Sequence, residues 1–192
     1  NDVVSTVRNH LVDRIGGPPP SSASVTFLGL EQIDILRFPG DDGIVRYATV
    51  GCSRHPMGDP ADMLADPTRG PRAELVLGLR GDVGPASGIH RTMAVLAATP
   101  AVEGLVLRAD ALLDLGEPLW HNTAFTAVLL AASALPEVVL PAPLDPVTFF
   151  DSVPITQTEA AWVRLKGAAA LREAWAEARI DVLDPNRLAA RL

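Results

Sequence analysis

The sequence predicts an α+β fold: a mostly antiparallel sheet flanked by helices, with a long C-terminal helix packed on it. Three observations predict it. Several segments alternate apolar with polar residues or run in β-branched ones. Most connections between them are too short for a crossover helix, which favours antiparallel pairing. The chain also opens and closes on segments of helical period.

Residues 2–15 read as a helix because Val3, Val7, Leu11 and Ile15 recur at a spacing of four. Gly16, Gly17 and three prolines stop it, and 18–24 reads as a stiff polar linker. Val25–Leu30 and Ile33–Phe38 read as strands, 39–43 as a run of turn formers, and Ile44–Val50 as the returning strand. In that strand Val45, Tyr47 and Thr49 share a face. Residues 51–71 form a long loop rich in Gly, Pro, Asp and Ser, with Met63 and Leu64 as its expected core contacts. Ala73–Arg80 is a clear strand, 81–88 a glycine-rich loop, and Ile89–Thr99 a helix closed by Pro100. Short strands are expected at Leu105–Arg108, Ala111–Leu115, Ala124–Ala131, Glu137–Leu140 and Val147–Phe150.

The last helix, Thr156 to Arg179, carries the strongest local signal. Thr156 and Glu159 form a T-x-x-E capping box, in which each side chain meets the other residue's backbone N–H. Pro154 lies outside it, and Ala, Leu, Arg and Glu dominate the rest. Glu159, Lys166, Glu173 and Glu177 fall on one stripe, expected to face solvent. Leu171 and Trp175 fall opposite, with Trp175 as the largest anchor on the sheet. Gly167 at the edge of that face implies a second backbone packed close.

With 192 residues, 48% of them hydrophobic, the chain is expected to be a single domain over 1–192, its core about 20–183. No apolar run reaches the ~20 residues of a membrane span, and no signal peptide is visible. A net charge of −7 argues against a nucleic-acid partner. One cysteine, Cys52, excludes internal disulfides and suits a reducing, cytoplasmic setting. Four histidines at no zinc-ligand spacing give no metal set.

The most chemical-looking cluster is Gly51-Cys52-Ser53-Arg54-His55, a thiol, hydroxyl, guanidinium and imidazole at a strand end. A Cys52 nucleophile with His55 as base is the catalytic reading; a small buried thiol is the plainer one. A binding surface on this loop stands between the two. The glycines at 78, 81, 84 and 88 lack the lysine of a phosphate loop. Asp110 and Asp114 have the spacing of an acid pair, yet their interleaved leucines fit an ordinary half-exposed strand.

The run YATVGCSRHPM, a long loop and then RGPRAELVLGLR resembles the Suppressor of fused domain family. The resemblance rests on Thr49, Gly51 and Ser53 of a T-x-G-x-S pattern, then Glu74 and Leu75 of an E-L motif. Pro154, Ile155, Thr156, Glu159, Gly167 and Leu171 are similar to the family's P-I-T-x-x-E…G…L helix. The likeness spans roughly residues 20 to 180, and the order of the motifs carries it. It implies a protein-binding module, either gripping an extended peptide or, as in many bacterial members, acting as an immunity protein that neutralises a toxin. The resemblance extends to one lobe, so the peptide cleft that animal members build between two is not expected to carry over whole; a sheet edge could still add a strand.

The expectation is therefore a non-catalytic cytoplasmic protein-binding domain with no catalytic, cofactor or metal residues. Its partner is a protein, a basic toxin or an extended peptide, met through Ser53, Arg54, His55 and Met57. The alternatives are an enzyme using the Cys52/His55 loop and a structural subunit of a larger complex.

Overall fold

The structure, a computed structural model, describes residues 2–58 and 66–192. Met63 and Leu64 lie outside the described residues. Among the described residues seven strands form one sheet, in the order β1 (Ser21–Val25), β2 (Ile33–Pro39), β3 (Ile44–Val50), β4 (Arg72–Arg80), β7 (Val147–Thr156), β6 (Phe125–Ala132) and β5 (Leu112–Asp114). Every pairing is antiparallel except β4 with β7, where Arg72 lies beside Val147. The α+β sheet expected from the short connections is present. Its one parallel seam joins two antiparallel halves.

Helices cover both faces. On one lies α2 (Ile89–Glu103), whose Met93 and Leu96 pack with Tyr47, Leu75, Leu77, Val128 and Leu130. On the other lies α1 (Val3–Ile15), its Val7 and Leu11 against Leu36, Phe38, Val50 and Phe149. Further along that same face sits the pair α3 (Gln157–Lys166) and α4 (Ala168–Glu177), which packs Ala160, Leu171 and Trp175 on Ala127, Leu129 and Ile155. Period two sorts the strands accordingly: Val128 and Leu130 face α2 while Ala127 and Leu129 face α3–α4. Burial on both faces is why β4 and β6 read as nearly continuous apolar runs.

Several elements depart from the sequence reading. The stretch expected to be a linker contains β1, whose burial is slight because it is an edge strand of SSASV composition. Residues 105–108 form no strand: the Leu107 N–H meets the Met57 Sδ at 3.3 Å instead of a ladder partner. Of 137–140 only a bridge, Val138 with Val147, remains. Pro100 lies inside the last turn of α2, which continues to Glu103.

The long C-terminal helix is two ten-residue helices, broken at Gly167. Gly167 has φ +92 and ψ 165, and nothing lies within 4 Å of where a Cβ would stand. Its glycine is therefore needed for a backbone conformation that side chains disfavour. Close packing does not explain it. Nor does Glu159 face solvent. It is fully buried, because the chain after α4 folds back over it. Trp175 is buried as expected.

Candidate functional site

The T-x-G-x-S and E-L residues meet. Glu74 on β4 is fully buried, and five donors from the end of β3 converge on its carboxylate. Oε1 accepts from Thr49 Oγ1 at 2.8 Å and Cys52 N at 3.2 Å. Oε2 accepts from Gly51 N at 2.8 Å, Ser53 N at 3.0 Å and Ser53 Oγ at 2.5 Å. Thr49 Oγ1 also takes the Leu75 N–H at 2.9 Å, so the E-L pair is fixed at both residues. Gly51 has φ +148, and a Cβ there would stand 3.0 Å from the Gln32 carbonyl oxygen. Burial raises the Glu74 pKa, with the Ser53, Gly51 and Thr49 donors acting against it.

Two residues before Glu74, and so on the same face of β4, the buried Arg72 grips the next turn of this loop. Its Nη1 donates to Ser53 O at 2.8 Å and Arg54 O at 2.7 Å, and Nη2 to Thr68 O at 3.1 Å. Residues 51–54 are thus held by an acid taking their N–H groups and a base capping their carbonyls.

Of the residues expected to meet a partner, Ser53 is buried under this network, and Met57 is a core residue whose N–H goes to Pro71 O at 2.7 Å. Arg54 and His55 lie at the surface. His55, 71% exposed in its side chain, places Nε2 2.7 Å from Glu31 Oε1, and Arg54 Nε lies 3.3 Å from Glu31 Oε2. The His55 hydrogen bond is the main cause of a lowered Glu31 pKa. Beside them an apolar hollow of about 240 Å³ opens between Leu30, Cys52, Met57 and the small residues Ala97, Ala98 and Ala101 of α2.

Cys52 and His55 are not assembled as nucleophile and base. The imidazole is turned to Glu31, while burial and then Glu74 push the thiol well above its ordinary pKa. Asp110 and Asp114 are not an acid pair either: each has its own arginine, Arg172 at 2.5 Å and Arg164 at 2.7 Å. His90 sits edge-on against Tyr47, and His121 is exposed. Among the described residues, no three His, Cys, Asp or Glu side chains group to hold a metal, and no helix is long and apolar enough to cross a membrane.

The second motif builds a similar hub around Glu159. The capping box forms, with Thr156 N to Glu159 Oε1 at 3.0 Å and Glu159 N to Thr156 Oγ1 at 3.2 Å. The same carboxylate accepts from Trp175 Nε1 at 2.8 Å, Ala190 N at 3.2 Å and both Nη atoms of Arg187 at 3.0 and 2.9 Å. Arg187 is clasped between the rings of Phe125 and Trp175 and also donates to Pro154 O at 3.0 Å. Burial opposes ionisation of Glu159, but Arg187, then Thr156 and Trp175, outweigh it and lower the pKa. Arg72 and Arg187 escape sequence reasoning. Lone arginines carry no spacing signal, and their partners come from the fold.

A sheet with helices on both faces, its labelled residues gathered at two buried carboxylates, defines a class of scaffold in which the motifs are structural. The sequence model of the Suppressor of fused protein (SUFU) matches residues 29–188, over four-fifths of the chain. The chain belongs to that family. A SUFU homologue from Neisseria gonorrhoeae FA 1090 is similar in fold, with TM-score 0.70 and 21% identity over 98% of this chain and 96% of that one. A chain of the Sufu–Fu complex crystal structure gives TM-score 0.69 and 17% identity, covering 97% of this chain and 91% of that one. Drosophila Suppressor of Fused gives 0.55 and 15%, covering 98% of this chain and 50% of that one, so the chain spans half its length. No curated protein matches.

Proposed function

We propose that this chain is a non-catalytic protein-binding domain of the cytoplasm, meeting its partner through the loop that carries Arg54 and His55. The observation that supports it is how the reactive side chains are used. The Glu74 and Ser53 side chains are committed to one buried network to which Cys52 adds only its N–H, which leaves an exposed Glu31–Arg54–His55 cluster beside an apolar hollow. An apolar pocket rimmed by charges on a rigidly held loop is the usual make-up of a protein contact. Ser53 and Met57 would serve it from beneath, by holding the loop. Membership of the SUFU family, and a relative crystallised with Fu, point the same way. An immunity role, in which the partner is a basic toxin, fits the net charge of −7 through steering.

The test uses the wild-type chain and an Arg54→Glu/His55→Glu variant as bait in lysate of the native cell, with retained proteins identified. Each is also co-expressed with any toxin encoded beside it. A partner held by the wild type and lost by the variant supports the reading. Equal retention by both moves the surface elsewhere. If nothing is retained and no toxicity is relieved, the binding reading fails.

A further inference from the structure

The face bearing α1 and α3–α4 is not covered end to end. Between the C-terminal turn of α1 and the Val182–Leu183 segment runs an open groove of about 830 Å³. Its floor is formed by the sheet: Ile44 and Arg46 of β3, Val76 and Gly78 of β4, Asp151 and Val153 of β7. Arg46 lies across from Gly78, and Val76 across from Asp151, so the floor is continuous over three strands. At Gly78 a Cβ would make ordinary contacts of 3.5 Å with Ile44 and 3.6 Å with Leu183. A side chain could stand there, and with glycine the groove stays deep.

A strip of sheet in mid-domain normally lies under a helix. Here it carries one acid, Asp151, which no arginine neutralises directly. Partial burial raises its carboxyl above the ordinary range, with Ser133 and Arg46 acting against it. Arg46 is itself tied to Asp42 at 2.9 Å. Asp41 joins Asp42 at the hairpin end, and Arg14 marks the α1 end. The groove thus combines aliphatic floor residues (Ile44, Val76 and Val153) with a half-buried carboxylate whose neighbouring Arg46 is tied to Asp42.

We propose that this groove receives an extended segment of a partner protein in which a lysine or arginine stands between aliphatic residues. The cation meets Asp151, and its aliphatic neighbours lie over Val76, Gly78 and Val153. Charge complementarity selects this occupant: a cation gains an incompletely paired carboxylate, whereas an acidic segment or a nucleic acid would meet Asp41, Asp42 and Asp151. The inference rests on the protein-binding reading but uses a surface at the other end of β3 from Arg54 and His55.

The probe is a capped decapeptide alternating lysine with leucine and valine, with a glutamate-for-lysine counterpart, titrated into the ¹⁵N-labelled full chain. The lysine peptide is expected to shift the amides of Ile44, Gly78, Asp151 and Val153, and the glutamate peptide to leave them unchanged. Asp151→Asn should weaken the lysine peptide about tenfold or more. Gly78→Met, which keeps Asp151 but fills the floor, should block it. Lysine-peptide binding that neither variant alters, or equal binding of both peptides, overturns the proposal, as does no shift at all. Shifts confined to Arg54 and His55 overturn it too, yet leave the protein-binding reading standing.

Discussion

Arg187 closes on Glu159 through two contacts of 2.9 and 3.0 Å, with the two side chains 4% and 0% exposed. A carboxylate that caps a helix N-terminus is thereby shared with a guanidinium from the chain beyond α4. The pair ties the start of α3 to residues 28 positions later.

Breaking one side of this pair leaves the other charge buried. Arg187→Ala and Glu159→Gln are each expected to lower unfolding free energy by about 3–5 kcal/mol in urea titrations. The double variant should cost much less than the two single losses added together. Additive losses would show that the pair is not coupled.

The lowered Glu159 pKa has a pH consequence with a definite sign. A depressed carboxyl contributes stability that is complete above its unfolded value, near 4.5, and is lost as pH falls through the folded value below it. Wild type minus Glu159→Gln stability, measured from pH 7 to 3, should therefore stay flat down to about pH 5 and shrink below it. A difference that grows with acid would reverse the assignment.

Glu74 organises a loop through five donors, so its loss should show locally as well as globally. Glu74→Ala is expected to cost about 3 kcal/mol or more, since it orphans buried N–H groups. Amide exchange at Gly51 and Ser53 should accelerate beyond what the global loss explains. Uniform acceleration across the sheet would mean the loop owes its order to something else.

At Gly167 a Cβ would meet no neighbour, so a substitution there reports backbone strain without a steric clash. With φ +92 and open space around it, Gly167→Ala should cost about 1–3 kcal/mol from backbone strain alone. A gain in both stability and far-UV helicity would instead mean that α3 and α4 fuse readily into one straight helix.

The capping box at Thr156 and Glu159 was legible because both halves lie within one turn of helix. The burial of Glu159 was not: its stripe assignment assumed a straight helix, and its cover, Arg187 and Ala190, comes from a segment with no period. β1 was hidden because an edge strand with three serines in five residues has no apolar face to announce it. The second half of β7 was hidden by Pro154, which nonetheless pairs with Val128. Around Glu74 the letters were readable and their meeting was not. Thr49, Gly51, Ser53 and Glu74 become one site only once β3 folds back on β4.

The parallel seam between β4 and β7 predicts an order of events in folding. β1–β4 and β5–β7 are each wired by near neighbours, whereas the seam joins Arg72 to Val147 and costs loop entropy before any contact is gained. Closing it should be the slow step, with the seam already formed at the barrier. Conservative truncations there, such as Phe149→Leu, should then act mainly by slowing folding, whereas changes in α3 and α4 should mainly speed unfolding.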